Sequence, residues 1–564
     1  MKCSPFGPLV RTTAFFIASF VLAGLLAACD KKEEASTNTA ASNPSSTATF
    51  NVLATSDLRD AQDLEAKVKT ATGIDLKFTF GGTMESTEQV LSGKTKADAA
   101  WFANAKYLLS DPQGQSRVKL QEKIMLSPLV IGVSESAADQ LGWKQGVKVS
   151  WKTVTDAASS GKLRYAMSNP ASSNQGFMAV MGVVAASSGK TEALTAQDVN
   201  VSVISDFLKG YRLVGDNSSY LAEKFIEQQA SEGKDSINAF INYENWLLAL
   251  NNGGKLKEKL RLIYPHEGVA TADYPLMLLN EARREDYQKL TAYLKSEEAQ
   301  TWLAQTTLRR PVNQEVAKKV DHLFPKGQLL IELPFSTDRV LADTLIEAYL
   351  NEFRRPIAST FLIDTSGSMK EGSRAPDLIQ ALQFIAGADN SLTGRFSRLT
   401  SREKLWMMPF SSTVRSPVYF QVPEAKAAIK GQLAQTDSAE KQAVFLQVRN
   451  FAQNLRMDGG TALYDGLYTA LNNMAEQKVK YPEYAYSVVA FTDGEANSGR
   501  SLERFKRDYE QLPETVRKIP VFMVLFGEAK EKDLKELIKI TGGKVFDARK
   551  TPLATVFKDI RSYQ

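Results

Sequence analysis

At 564 residues the chain is too long for one ordinary domain, and at roughly 150 residues per domain it accommodates two to four. Hydrophobic residues at 43% and charged residues at 24% exclude a collagen-like or broadly disordered chain. The formal net charge of +5 falls to +3 when Lys2 and Arg11 of the leader are set aside, and basic and acidic residues interleave along the whole length, so no nucleic acid partner is expected. The two cysteines are Cys3 and Cys29, which removes disulfide staples, thiolate metal sites and cysteine nucleophiles from everything beyond residue 29.

In chain order, Lys2 and Arg11 precede an uncharged apolar run over 12–28 that ends Leu26-Ala27-Ala28-Cys29. The run is shorter than the roughly 20 residues of a membrane span, and small residues stand before the cysteine as signal cleavage needs. This resembles a lipoprotein signal. The resemblance implies that residues 1–28 are removed and that Cys29 becomes an acylated, palmitate-bearing N-terminus holding an extracytoplasmic protein to the cell membrane. Asp30 resembles the signal that keeps enterobacterial-type lipoproteins at the inner membrane, which in a Gram-negative host faces the chain into the periplasm. Residues 29–48 are polar and aperiodic, which predicts a disordered tether with a reach of roughly 24 Å.

From Thr49 apolar runs alternate with helical patterns, predicting an α/β domain over 49–325. TFNVLATSD reads as a strand ending at Ser56-Asp57, followed by a helix over 60–70. IDLKFTF reads as a strand, Gly81-Gly82-Thr83 as a turn and Met84–Leu91 as a helix. Such turns present polar groups and free helix N–H groups at a sheet edge. With KADAAWFAN, LSPLVIGV as a crossover strand, and MSNPASSNQGF, the stretch resembles the two-lobed solute-binding proteins of ABC importers. The resemblance implies a cleft lined by Ser56, Asp57, Gly82, Thr83, Ser168, Asn169, Ser172, Ser173 and Tyr243. Turn and cap roles explain the same residues without a ligand. Hydroxyls and helix N-termini suit a small oxyanion, whereas Asp57 and Glu244 oppose one unless they point away or are protonated. A cation, a polar metabolite or a peptide fits the same cleft, and loss of binding is a further alternative. Gly93-Lys94-Thr95 is no phosphate loop, because Glu88 stands where that motif needs glycine. His266 and His322 lack metal-ligand spacing.

Residues 326–356 read as a helical linker, with a helix from Ser336 to Phe353 ended by Pro356. The domain at 357–564 begins with a buried strand, Ser359 to Ile363, that runs into Asp364-Thr365-Ser366-Gly367-Ser368. MDGGTALYDGL follows, with Thr461 opening a helix, and then SVVAFTDGEAN, whose strand ends at Asp493. In a doubly wound fold such strand ends share one edge. The arrangement closely resembles the von Willebrand factor A (VWA) family and its metal-ion-dependent adhesion site. The resemblance implies a Rossmann-like sheet in which Asp364, Ser366, Ser368, Thr461 and Asp493 hold Mg²⁺, Mn²⁺ or Ca²⁺, directly or through water, and leave a position for an acidic side chain of a protein partner. Oxygen donors without nitrogen or sulfur select those cations. Beyond Asp493 the pattern predicts a helix over 502–509, the strand VFMVLF, a helix over 531–540 and a last helix from Pro552, with Lys and Glu on these late helices as solvated faces.

The expected function is non-enzymatic: a lipid-anchored protein that grips a partner through its metal site, with a solute-binding lobe that senses or presents a ligand. The alternative is the receptor of an ABC importer with an accessory domain. A metal-dependent enzyme is a third class, against which stands the lack of Ser-His-Asp spacing, GxSxG or HExxH.

Overall fold

A computed structural model describes residues 49–563 except 191–193, 216, 231–235, 328–329, 334–337, 428–435, 495, 528–530 and 552. The segments read as a signal sequence and a tether, with Cys29 between them, fall outside the described residues, and among those described no helix is long and apolar enough to cross a membrane.

The first region forms two lobes. One sheet runs Leu76–Gly81, Phe50–Thr55, Ala99–Trp101, Pro275–Leu278, Leu120–Lys123, its first three strands parallel and Pro275–Leu278 antiparallel to both neighbours. The other is built on the long strand Met125–Ser134, which pairs antiparallel with Thr271–Ala272, Leu260–Ile263, Ala239–Tyr243 and Arg310–Pro311. Ala239–Tyr243 then pairs in parallel with Tyr165–Ser168, and that strand with Tyr211–Gly215. The expected crossover strand is therefore the spine of the second lobe. The chain passes between sheets at Ile124, at Asp273-Tyr274 and at Leu308-Arg309. Tyr274 and Leu308 adopt left-handed backbone, φ +39° and +55°, a conformation that costs L side chains about 1–3 kcal/mol and persists where surrounding contacts impose it. For Tyr274 those contacts are Ala103 O, which accepts from its N–H, and Trp101 Nε1, which donates to its carbonyl.

The segment read as a linker is part of this packing. Its helix, Arg339–Ala348, continues through a π turn at Tyr349–Phe353. Leu341, Leu345, Ile346, Tyr349 and Leu350 recur at helical spacing and join the same buried cluster as Trp151 and Phe207 of the second lobe. Residues before it add backbone pairing, Val269 N–H to Ile331 O and Leu333 N–H to Val269 O.

The second domain is a six-stranded sheet in the order Val418–Gln421, Lys404–Phe410, Ile357–Asp364, Ala485–Thr492, Val521–Leu525, Lys544–Asp547. All pairs are parallel except the edge strand Val418–Gln421. Every residue of Ile357–Asp364 is buried, as a central strand covered on both faces requires. Leu378, Phe445 and Phe557 pack one face; Leu463, Leu467, Phe505 and Leu537 pack the other. The strand order reverses at Ile357–Asp364, so the loops after it and after Ala485–Thr492 lie together at the carboxyl edge.

Candidate functional site

Three loops meet at that edge and are bonded to one another. Gly367 N–H donates to Gly459 O (2.9 Å) and Asp458 N–H to Thr365 O (2.7 Å), joining the first loop to the second. Thr461 N–H donates to Asn497 Oδ1 (2.8 Å), joining the second to the third. Asp364, fully buried, accepts from Ser366 N–H at Oδ1 (2.8 Å) and from Thr492 Oγ1 at Oδ2 (2.7 Å). The Ser366 and Ser368 hydroxyls lie 3.1 Å apart. Burial pushes the Asp364 carboxyl up to about 6; the bonds from Ser366 and Thr492 pull it down and the nearby Asp493 charge pushes it up. Gly459 takes φ +81°, and a Cβ there would sit 2.9 Å from Ser412 Oγ, so the close approach of these loops needs glycine.

The donor set fits a hard divalent cation. Thr461 Oγ1 and Asp493 Oδ1 are buried and have no hydrogen-bond partner. Leaving such a group unsatisfied costs about 1–3 kcal/mol, and a bound cation would engage both oxygens. The helix after Thr461 begins at Leu463 rather than at Thr461, so the threonine hydroxyl is not spent on capping. Among the described residues no three His, Cys, Asp or Glu side chains cluster; the chemistry is two carboxylates with three hydroxyls. Sequence reasoning missed Arg374, which donates to Ser368 O (3.0 Å) and Asp493 Oδ2 (3.2 Å) and so balances charge at this edge. It opens a helix six residues past Ser368, a spacing that carries no motif.

A second candidate site lies between the lobes, a cavity of about 450 Å³. Of the nine cleft residues read from the sequence, Ser56, Asp57, Gly82, Thr83, Ser172, Ser173 and Tyr243 line it. Ser168 and Asn169 do not. Ser168 is fully buried and bonded to Gln175 and Ser173, and Asn169 accepts from Ala171 N–H at Oδ1 (2.9 Å) while its Nδ2 points to Arg561 O (3.5 Å), so the polar atoms of both are engaged outside the cavity. Burial holds the Tyr243 phenol well above its ordinary range, so its hydroxyl stays neutral, accepting from Asn174 Nδ2 (2.9 Å).

Neither suspected carboxylate stands free in this cavity. Asp57 accepts from Trp246 Nε1 (2.6 Å), Tyr274 OH and the buried guanidinium of Arg309, which also grips both oxygens of Asp60 at 2.9 and 2.7 Å. Burial works against the Arg309 charge, but Asp60, Tyr274 and Asp57 more than offset it and Arg309 stays protonated. Glu244 is fully buried, paired with Arg310 at 2.6 and 2.7 Å and bonded to Tyr264, and lies outside the cavity lining. Gly93, at φ +68°, lies just past the end of the Thr83–Leu91 helix, which agrees with rejecting a phosphate loop. The expectation of solvated late helices fails for the last one: on Leu553–Tyr563, Lys558 and Arg561 are buried, and Thr555, Lys558 and Asp559 line the cavity.

Residues 50–308 match the family model of a bacterial extracellular solute-binding protein, and residues 360–559 match that of a von Willebrand factor type A domain. No curated protein matches the chain. Solved structures similar to it include the sulfate-binding protein SubI from Mycobacterium tuberculosis H37Rv, at 15% identity over 52% of this chain and 96% of that one, TM-score 0.39. The periplasmic binding protein AfuA from Actinobacillus pleuropneumoniae, with fructose-6-phosphate bound, is 14% identical over 53% and 98%, TM-score 0.42. A ferric binding protein from Campylobacter jejuni is 12% identical over 52% and 95%, TM-score 0.39.

Proposed function

From a chain that joins a bacterial extracellular solute-binding domain to a von Willebrand factor type A domain, we propose a non-enzymatic, extracytoplasmic lipoprotein that grips a protein partner through a divalent-cation site and takes a small solute between its first two lobes. The observation that carries the first half is the pair of buried, unpartnered oxygens, Thr461 Oγ1 and Asp493 Oδ1, beside Asp364, Ser366 and Ser368. Asp364, Ser366, Ser368, Thr461 and Asp493 would hold the ion, Mg²⁺ first and Mn²⁺ or Ca²⁺ by the same oxygen chemistry. When bound, such a cation supplies an open coordination position that an Asp or Glu carboxylate of a partner can fill. Thr492 and the Ser366 N–H fix the Asp364 carboxylate, and Arg374 holds Asp493 toward the same point.

The experiment is capture of envelope proteins on the immobilised full chain. A partner of this kind is retained in Mg²⁺, released by EDTA, and not retained by the Asp364→Ala protein; retention indifferent to both would overturn the reading. Anchoring is tested separately by metabolic palmitate labelling. The wild-type precursor takes up label and Cys29→Ala takes up none, because no other residue at that cleavage point can accept the thioether-linked lipid. Label retained on the variant would remove the lipoprotein assignment.

A further inference from the structure

The interlobe cavity has a third wall, supplied by the other domain. The Leu553–Tyr563 helix reaches both lobes. Thr555 Oγ1 and Lys558 Nζ each donate to Glu85 of the first lobe (3.2 Å), Asn169 Nδ2 of the second donates to Arg561 O (3.5 Å), and Tyr220 packs edge-on against Tyr563 at 4.8 Å. Its opposite face, Val556, Phe557 and Ile560, sits in the core of the second domain, and Arg561 Nη1 donates to the fully buried Glu403 (2.5 Å). Thr555, Lys558 and Asp559 recur at helical spacing and so share the cavity face.

We propose that this helix belongs to the solute site: the cavity takes a small organic anion, and Lys558 is one of the residues that bind it. The proposal rests on the reading that the cavity binds a solute, and names its charge and a binding residue that comes from outside the solute-binding domain. Four helices of nine or more residues begin at the cavity, after Gly82, Ser173, Asn217 and Tyr243, and three of those cap positions make no side-chain capping bond. Their N-terminal N–H groups and dipoles favour negative charge. Lys558 adds a buried ammonium at one of these positive ends: a Cβ on Gly82 would lie 2.6 Å from Nζ, so the ammonium sits directly against that helix start. Glu85, in the first turn of the same helix, is the resting counter-charge, and an incoming anion would share Lys558 with it.

Two hydroxyls support a ligand independently of the dipoles. Ser172 Oγ and Thr55 Oγ1 line the cavity, belong to residues only 6% and 2% exposed, and have no hydrogen-bond partner. A cavity of about 450 Å³ exceeds what a bare oxyanion fills and lies in the range of organic ligands. Among the side chains on the wall, Arg59 and Lys558 face Glu85, Asp559 and the Arg309-paired Asp57, so charged side chains nearly cancel and the helix ends tip the balance toward an anion.

The test is calorimetry and thermal shift on the full chain with glucose 6-phosphate, 3-phosphoglycerate and citrate as organic anions, and glucose and inorganic phosphate as comparators. At least one organic anion binds, at least about tenfold more tightly than either comparator. Lys558→Met weakens that binding at least tenfold, Lys558→Arg keeps it within about threefold, and Ser172→Ala, which removes a hydroxyl that no residue bonds, weakens it with no loss of fold. Unchanged far-ultraviolet circular dichroism and a cooperative thermal transition without ligand certify that each variant is folded. Equal or tighter binding by folded Lys558→Met would show the helix to be a plug or a bystander and overturn the proposal. Glucose or phosphate matching the organic anions would overturn the ligand class, as would no binding by any of them. In that last case a hit among neutral sugars, amino acids or cations would leave the solute-binding reading intact, and no hit at all would remove it as well.

Discussion

Asp364→Ala abolishes measurable Mn²⁺ binding by the full chain, an affinity loss on the order of 100-fold or more, while wild type binds one ion per chain. The carboxylate is fully buried at the end of the central strand, held by two hydrogen bonds and beside the Asp493 charge. Removing a ligand costs more than the 10- to 100-fold typical of residues that merely orient ligands. Since Mn²⁺ stabilises only the folded state, melting temperature rises with added Mn²⁺ in wild type and stays flat in the variant. Alanine leaves the Ser366 N–H and Thr492 hydroxyl without their acceptor, so Asp364→Asn, which keeps an oxygen at Oδ1, is the companion variant that separates loss of metal from loss of fold. Equal Mn²⁺ affinity in wild type and a folded variant would refute the site.

Arg309→Met lowers the unfolding free energy by about 3–5 kcal/mol, read from the shift in urea midpoint. The guanidinium is 0% exposed, makes two bonds to Asp60 and two to Asp57, and stacks 4.7 Å above the Tyr274 ring. Truncation leaves the half-buried Asp57 short of its counter-charge. Asp60, about one-third exposed, loses its guanidinium partner as well but keeps access to water, so Asp57 carries more of the loss. Arg309→Lys recovers only part of the loss, because a single ammonium cannot serve two carboxylates and a carbonyl in the fixed fork that guanidinium provides. A shift below about 1 kcal/mol for Arg309→Met would mean that water satisfies the abandoned oxygens.

What the sequence disclosed and what it hid follow from how local each signal is. Asp364, Ser366 and Ser368 sit within five residues at the end of an unbroken apolar run, so strand, loop and donor chemistry are visible together. Thr461 and Asp493 are readable because each adjoins its own helix or strand. The strands Lys404–Phe410 and Lys544–Asp547 were not anticipated: the first carries Pro409, and the second is four residues long with one buried position. Arg309 gave no signal, since an arginine after a helix becomes a clamp only when Asp57 and Asp60, some 250 residues earlier, come into reach. Lys558 misled for a related reason. Its helix is amphipathic in the ordinary sense, and the polar face looks solvated until a different domain is brought against it.

The buried strap at residues 339–353 ends four residues before the strand Ile357–Asp364, whose far end carries the carboxylate, while the described chain enters at residue 49 in the opposite lobe. A molecule held at residue 49 and pulled at Asp364 is therefore tensioned along one continuous path. The pull runs down the central strand in shear against two parallel neighbours, which share the strain over many hydrogen bonds at once. It passes into the strap, which is bonded to the first lobe through Arg339 to Asp111 and Asp343 to Tyr107 and is packed in the second, while the chain itself crosses between the lobes at Ile124, Asp273-Tyr274 and Leu308-Arg309. Two of those crossings carry left-handed backbone, at Tyr274 and Leu308. Tension on a partner held at the edge loops would therefore load the strap that both lobes share, beside the cavity those lobes enclose.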